Sequence, residues 1–125
     1  RFEHNTGLEV ECRLPPREPV VPVDAIRHLG YIVTEALANV WKHAQARRAI
    51  VSVRRAGERV VVKVADDGIG FDLSQVDAVR AGLGLSNIRE RAREIGAELE
   101  IRTAPGRGTR LLISLPILEP REDTL

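Results

Sequence analysis

Four polar residues at helical spacing form the first candidate site in the sequence. Glu35 and Asn39 are four residues apart, and Lys42 and His43 follow one turn later. On a helix, all four side chains project from one side. Mg²⁺ prefers oxygen ligands, so the Asn39 carbonyl could bind it beside phosphate groups while water completes the shell. The same spacing is also compatible with a polar helix face that only meets solvent.

A second candidate site lies at residues 66–70, which read Asp-Asp-Gly-Ile-Gly after an apolar stretch. A carboxylate only accepts hydrogen bonds, so Asp66 at a strand end could bind the exocyclic amine of adenine and select adenine over guanine. Gly68 and Gly70 allow the backbone to approach a base or sugar closely. The run is also a common turn sequence, and alone it does not decide between the two.

A third candidate site is the Gly-Leu-Gly-Leu run at residues 82–85, at the start of a predicted helix. Free backbone N–H groups and the positive end of the helix dipole favour phosphate there. The dinucleotide fingerprint Gly-x-Gly-x-x-Gly is not met, because position 87 is Asn87. The run therefore predicts a phosphate contact and argues against a Rossmann domain.

Two helices are predicted to carry these residues. The first covers residues 23–43, begins near Pro22, and has an apolar stripe at steps of three or four: Ile26, Leu29, Val33, Leu37 and Val40. The second covers residues 86–95, with Ser86 as its cap and Gly96 as its stop.

Five strands are predicted around these helices, at residues 8–14, 49–53, 59–65, 98–103 and 109–115. The second and third are joined by a short turn and form an antiparallel hairpin. Strands and helices in this order predict a two-layer α/β sandwich, with the helices on one face of a mixed sheet.

Composition excludes several classes of protein. The 125 residues fit one domain, and the net charge of +1 with 3% aromatic residues argues against nucleic-acid binding. The arginine pairs 47–48 and 54–55 are interpreted as a solvated strand face. A lone Cys12 and no metal-ligand spacing of Cys and His predict a reducing, cytoplasmic setting. No apolar run reaches the roughly 18 residues of a membrane span, so no direct membrane contact is expected.

The order of these motifs is more specific than any one of them. The sequence resembles the histidine kinase and gyrase-type ATPase superfamily: residues 35–39 match its N box, 66–70 its G1 box and 82–85 its G2 box. Residues 106–109 (Gly-Arg-Gly-Thr) are similar to a further glycine box. The resemblance implies a Bergerat-type fold and an ATP-binding, phosphoryl-transferring domain.

Residues 35–44 and 82–92 are most similar to the nitrate and oxygen sensor histidine kinases. The resemblance runs from about residue 7 to 115, so we expect a catalytic domain at residues 1–118 and a polar tail at 119–125. The sequence has no methionine and begins with Arg. A part of a longer protein is therefore expected.

The resemblance assigns a role to each residue. Asp66 binds the adenine amine, Asn39 coordinates Mg²⁺, and Lys42 contacts the phosphates. His43 supports that end of the helix or touches a phosphate, and Glu35 is the candidate catalytic base. Further ATP contacts are implied at Gly68, Gly70, Gly82, Leu83, Gly84, Leu85, Gly108 and Thr109.

The histidine that receives the phosphoryl group is expected outside this chain. In the kinases that the chain resembles, it lies on an upstream dimerising helical hairpin, and a response regulator is the next partner. His4 lacks helical context, His28 is interpreted as structural, and His43 belongs to the N box. The isolated domain is expected to be a monomer that binds ATP without phosphorylating itself.

Three alternatives stay open. A gyrase B or mismatch-repair ATPase uses the same Glu and Asn but carries a long lid, whereas residues 72–81 here form a short one. An anti-sigma factor kinase has the same pocket but phosphorylates serine. A nucleotide-binding module without chemistry is less compatible with Glu35, Asn39, Lys42 and Asp66 occurring together.

Overall fold

The computed structural model describes residues 2–3, 7–17, 19–74 and 83–118. Within these ranges the chain forms one sheet of strand order β1-β2-β3-β4-β6-β5, with strands β1 Phe2–Glu3, β2 Glu9–Arg13, β3 Arg48–Ala56, β4 Arg59–Asp66, β5 Glu98–Thr103 and β6 Thr109–Pro116. Helix α1 spans Val23–Asn39 and continues as a π-helical turn, Val40–Ala44, and helix α2 spans Leu85–Glu94. In this part of the chain, no helix combines the length and apolar character of a membrane span.

The sheet is mixed, as predicted. β2 pairs with β3 in parallel, and the other neighbouring strands are antiparallel. The predicted hairpin is present as β3 and β4, but both strands are longer than predicted, and β1 was not predicted at all. β4 lies between β3 and β6, and its last residue, Asp66, is paired with Ala49 on one side and Thr109 on the other.

The core lies between the sheet and the two helices. Alternate residues of β4 and β6 point inward and are buried, as the two-residue period of strands requires: Val60, Val62, Val64, Leu111, Ile113 and Leu115. Ile32 of α1 and Ile88 of α2 are fully buried in the same layer. The two-layer α/β sandwich is therefore confirmed.

The buried face of α1 differs from the predicted apolar stripe, because the two lines of residues are rotated about the helix axis relative to each other. Ile26 is 59% exposed, and the buried line of α1 is Ala25, His28, Ile32 and Ala36. The small alanine side chains let the helix backbone pack close to its neighbours. The stripe was predicted from large apolar residues, so these alanines were not included in it. Leu29, Val33 and Leu37 lie at the edge of this face and are partly buried.

The ends of the helices differ from the predicted ends. Pro22, predicted near the start of α1, is its N-cap, but regular α-helix ends at Asn39, and Gln45 after the π-helical turn is left-handed with φ 51°. The predicted Ser86 cap of α2 was wrong. The N-cap is Gly84, with φ 63°, so the helix begins one residue earlier and no side chain caps it.

Candidate functional site

A cavity of about 240 Å³ lies between the C-terminal end of α1 and the sheet, where β4 ends and β6 begins. Its wall is mainly apolar, which suits a flat aromatic ligand with few directed polar contacts. The lining residues are Ala36, Asn39, Val40, His43, Ala44, Val64, Asp66, Ile69, Gly70, Phe71, Leu83, Leu85, Ile101, Thr109 and Leu111.

Asp66 presents a carboxylate to this cavity. Its Oδ1 accepts a hydrogen bond from the backbone N–H of Gly68 at 2.8 Å. Burial raises the pKa of Asp66, and the nearby Asp67 charge adds to that, while the N–H groups of Gly68 and Thr109 act in the opposite direction. Asp66 is therefore an acceptor held in place by the backbone of its own loop.

The loop after Asp66 is fixed to the end of the π-helical turn. Ile69 N–H donates to the Ala44 carbonyl at 2.8 Å, and a Cβ at Gly68 would overlap that same oxygen. Asp67 Oδ1 accepts from the N–H groups of Arg47 and Arg48 at 2.9 and 3.0 Å. The fold itself thus requires glycine at 68, and the predicted contact of Gly68 with a nucleotide stays a prediction.

The turn between β5 and β6 packs onto the other side of this loop. Gly70 has φ 62°, and a Cβ there would overlap the Ala104 carbonyl oxygen. A Cβ at Gly108 would overlap the carbonyl oxygen of Asp66, and Gly106 N–H donates to the Ile69 carbonyl at 2.6 Å. The predicted glycine boxes at 66–70 and 106–109 therefore form one packed unit.

Thr103 was missed by the sequence analysis. Its hydroxyl lies 3.1 Å from Phe71 N, 3.0 Å from the Gly108 carbonyl oxygen and 3.0 Å from Thr109 Oγ1. The signal for it is a hydroxyl residue at a strand end, directly opposite Thr109 in the β5–β6 register. That register is not visible before the strands are paired.

The start of α2 is held by the two N-box residues on α1. Asn39 Nδ2 donates to the Leu83 carbonyl at 2.6 Å. A carbonyl oxygen cannot donate, so the bonded atom must be the amide nitrogen, which leaves Oδ1 for another donor or a cation. Glu35 is partly buried, and its carboxylate lies against Gly84, where a Cβ would overlap Oε1.

The remaining predicted site residues lie at the rim or outside the described residues. Lys42 and His43 are exposed on the π-helical turn; His43 lines the cavity, and Lys42 does not. Four of the predicted features fall outside the described residues: Gly82, the lid residues 75–81, His4 and the tail 119–125. In the ranges described, no group of three or more His, Cys, Asp or Glu side chains could hold a metal ion.

Residues 24–119 match the family of histidine kinase-, DNA gyrase B- and HSP90-like ATPases. The chain belongs to this family. The match covers α1 from Asp24 onward, the three glycine boxes and the strand that carries Asp66, so an ATP-binding domain is confirmed. Use of ATP is therefore implied for this ATPase domain.

Relatives of this ATPase domain are sensor kinases. The chain is 39% identical over 90 residues to the sensor histidine kinase LiaS of Bacillus subtilis, covering 72% of this chain and 24% of LiaS. It is 34% identical over 116 residues to the histidine-protein kinase/phosphatase DegS of Brevibacillus brevis, covering 93% of this chain and 30% of DegS. The chain thus spans less than a third of either relative.

Solved structures agree with the family. A histidine kinase domain from the Erythrobacter litoralis EL346 blue-light activated kinase is 29% identical, with TM-score 0.69, over 89% of this chain and 52% of that one. The ATP binding domain of PrrB from Mycobacterium tuberculosis is 26% identical, with TM-score 0.71, over 90% and 82%. The ATPase-family fold is therefore shared with ATP-binding domains of histidine kinases.

Proposed function

We propose that this chain is the catalytic ATP-binding domain of a bacterial two-component sensor histidine kinase. It binds ATP with Mg²⁺ and donates the γ-phosphoryl group to a histidine on a dimerisation domain elsewhere in the full protein. The observation that carries the proposal is Asp66, whose carboxylate is fixed at the end of β4 and lines an apolar cavity. An acceptor at the end of an apolar slot selects a base with an exocyclic amine.

The rest of the site is assigned around that base. Gly70 and Thr109 line the base end of the cavity, and Leu83 and Leu85 lie at the start of α2, whose free N–H groups and dipole favour the phosphates. Gly108 packs closely against the carbonyl of Asp66. Gly68, Gly82 and Gly84 are further proposed contacts of the nucleotide. Lys42 and His43, exposed at the rim, are proposed to pair with the phosphates.

Asn39 is the proposed Mg²⁺ ligand. Its Oδ1 is left over once Nδ2 is bound to Leu83, and one protein oxygen with water and phosphate oxygens suits Mg²⁺. The ion would neutralise phosphate charge. Glu35, one helical turn before Asn39, is the proposed base that accepts the proton of the attacking histidine nitrogen.

Two substitutions at Asn39 separate its two contacts. Asn39→Ala loses both the donor to Leu83 and the metal oxygen, whereas Asn39→Asp keeps an oxygen for Mg²⁺ but replaces the donor by a carboxylate that repels the Leu83 carbonyl and the phosphates. Asn39→Asp is expected to weaken Mg²⁺-free ATP binding more than Asn39→Ala, because it adds a negative charge near the phosphates, but only Asn39→Ala should abolish the gain on adding Mg²⁺. ATP titration with and without a chelator measures both quantities. A normal Mg²⁺ gain in Asn39→Ala would contradict the metal assignment.

Binding of the base is tested at Asp66. Asp66→Asn should weaken ATP by about 1–3 kcal/mol, because a charged acceptor is replaced by an amide. Asp67→Asn is the matched control, since Asp67 is exposed and an amide oxygen still accepts from Arg47 and Arg48. A fluorescent ATP analogue reports both affinities. Equal losses in the two variants, or none at Asp66, would place adenine elsewhere.

In this proposal, the histidine that accepts the phosphoryl group lies elsewhere in the full protein. We infer a domain at residues 1–118 with a tail at 119–125, monomeric when isolated, placed on the cytoplasmic side where ATP is available. The upstream dimerisation domain and a response regulator are its proposed partners. Among the described histidines, His28 is buried with Nδ1 3.4 Å from Glu94 Oε2, a position that suits a structural role.

A kinase and a hydrolase are distinguished by whether the radiolabelled phosphate of ATP is found on a histidine or is released into solution. With radiolabelled ATP the isolated chain should stay unlabelled, because phosphoryl transfer depends on a positioned acceptor that this chain does not supply. Adding the upstream helical hairpin of the same protein should produce acid-labile, base-stable phosphohistidine on the hairpin. Labelling of this chain on His4, His28 or His43 would contradict the acceptor argument. Rapid phosphate release without a partner would favour a hydrolytic ATPase of the gyrase B type.

A further inference from the structure

The hydroxyl of Thr103 joins three parts of the nucleotide site. The Phe71 N–H, in the loop after Asp66, donates to Thr103 Oγ1 at 3.1 Å. Thr103 Oγ1 donates to the Gly108 carbonyl at 3.0 Å and lies 3.0 Å from Thr109 Oγ1. Thr103 itself does not line the cavity, whereas Thr109 does.

The number of hydroxyl hydrogens in this cluster determines which group donates in each hydrogen bond. A threonine hydroxyl has one hydrogen to donate and two lone pairs to accept with. The hydrogen of Thr103 is used on Gly108, so the contact between the two threonines requires Thr109 to donate to Thr103. The hydroxyl proton of Thr109 is therefore directed toward Thr103, and only lone pairs of Thr109 remain for a ligand.

Thr109 and Asp66 act together at the cavity end. They are directly paired across β4 and β6, so their side chains project to the same face, and both line the cavity. The ligand thus meets two acceptors side by side, a carboxylate and a hydroxyl whose proton is already used. Two acceptors match an exocyclic amine, which carries two N–H groups, and they repel a carbonyl oxygen.

We propose that Thr103 is a positioning residue that sets base selectivity, by holding the Thr109 hydroxyl as an acceptor toward 6-aminopurines and against 6-oxopurines. This inference rests on the proposed ATP-binding function and deepens it. Without the Thr103 hydroxyl, Thr109 can rotate and donate to a 6-oxo oxygen. Selectivity should then fall although no residue that touches the base has changed.

The test compares ATP with inosine triphosphate, which replaces the 6-amine by a 6-oxo group and adds no 2-amino group. Thr103→Val keeps the shape and removes the hydroxyl, and Thr103→Ser keeps the hydroxyl. The ratio of the two dissociation constants should fall about threefold to tenfold in Thr103→Val, the value of one uncharged hydrogen bond, and return close to wild type in Thr103→Ser. Both nucleotides are measured on one protein preparation, so a loss of folded protein cancels in the ratio.

A double-mutant cycle shows whether Thr103 acts through Thr109. In a Thr109→Val background, Thr103→Val should leave the ratio unchanged, because the hydroxyl that it orients is gone. An unchanged ratio in the single Thr103→Val variant, with ATP still bound, would overturn the inference and leave the proposed function standing. A wild-type chain that binds neither nucleotide would overturn the proposed function and the inference with it.

Discussion

Under the proposed function, Glu35→Gln in the full-length protein is expected to bind ATP nearly normally and to lose histidine phosphorylation by about 10²-fold or more. Gln keeps the size of the side chain and its packing against Gly84, but it cannot accept a proton. Glu35 does not line the cavity that holds the proposed base site, so nucleotide affinity should be little affected. The substitution therefore separates chemistry from binding.

Single-turnover transfer of label from ATP to the acceptor histidine measures this step, and ATP titration of the same variants measures binding. Glu35→Asp is the matched control, since it keeps a carboxylate one methylene further from its target and should retain more activity than Glu35→Gln. Normal phosphorylation in Glu35→Gln would remove Glu35 from the chemistry. A parallel loss of ATP affinity would instead assign it to holding the start of α2 through Gly84.

Much of the sheet and the order of the site could be predicted because the signals are local. The apolar stretch of β4 runs directly into Asp66, which made the strand-end carboxylate visible in the sequence. Gly70 was singled out by its spacing from that carboxylate. Local periodicity and turn residues therefore found the strands and the loops that flank the cavity.

The features that were missed depend on contacts between distant parts of the chain. The role of Thr103 requires the β5–β6 register, and the parallel pairing of β2 with β3 joins strands separated by the whole of α1. Ser86 has good capping chemistry, yet the N-cap of α2 is the left-handed Gly84, which lies against the Glu35 carboxylate. In each case a tertiary contact outweighs a local preference.

Glycines 68 and 70 show the same limit within the site. From the sequence, both glycines were explained by the close approach of a base or sugar. In the structure, Gly68 lies against the Ala44 backbone and Gly70 against the backbones of Ala104 and Gly108. Their spacing was informative, but the atoms that require glycine belong to other segments of the protein, the π-helical turn and the β5–β6 turn.

Gly70→Ala is expected to lower the free energy of unfolding by about 3–5 kcal/mol and to abolish ATP binding. About 1–2 kcal/mol comes from placing a Cβ at φ 62°, and the rest from the overlap with the Ala104 and Gly108 carbonyl oxygens, which only a backbone shift can relieve. That shift would move the loop joining Asp66 to the cavity wall. Urea unfolding and ATP titration measure the two effects.

Gly57→Ala is the matched control, because Gly57 has the same φ of 62° in the β3–β4 turn, but a Cβ added there would meet no other part of the described chain within 4 Å. It should cost only the conformational part, about 1–2 kcal/mol, and leave ATP affinity unchanged. The difference between the two variants isolates the packing of the two glycine loops. Equal losses of stability in Gly70→Ala and Gly57→Ala would mean that the two glycine loops do not pack against each other at Gly70. The position of the cavity wall would then depend on other contacts.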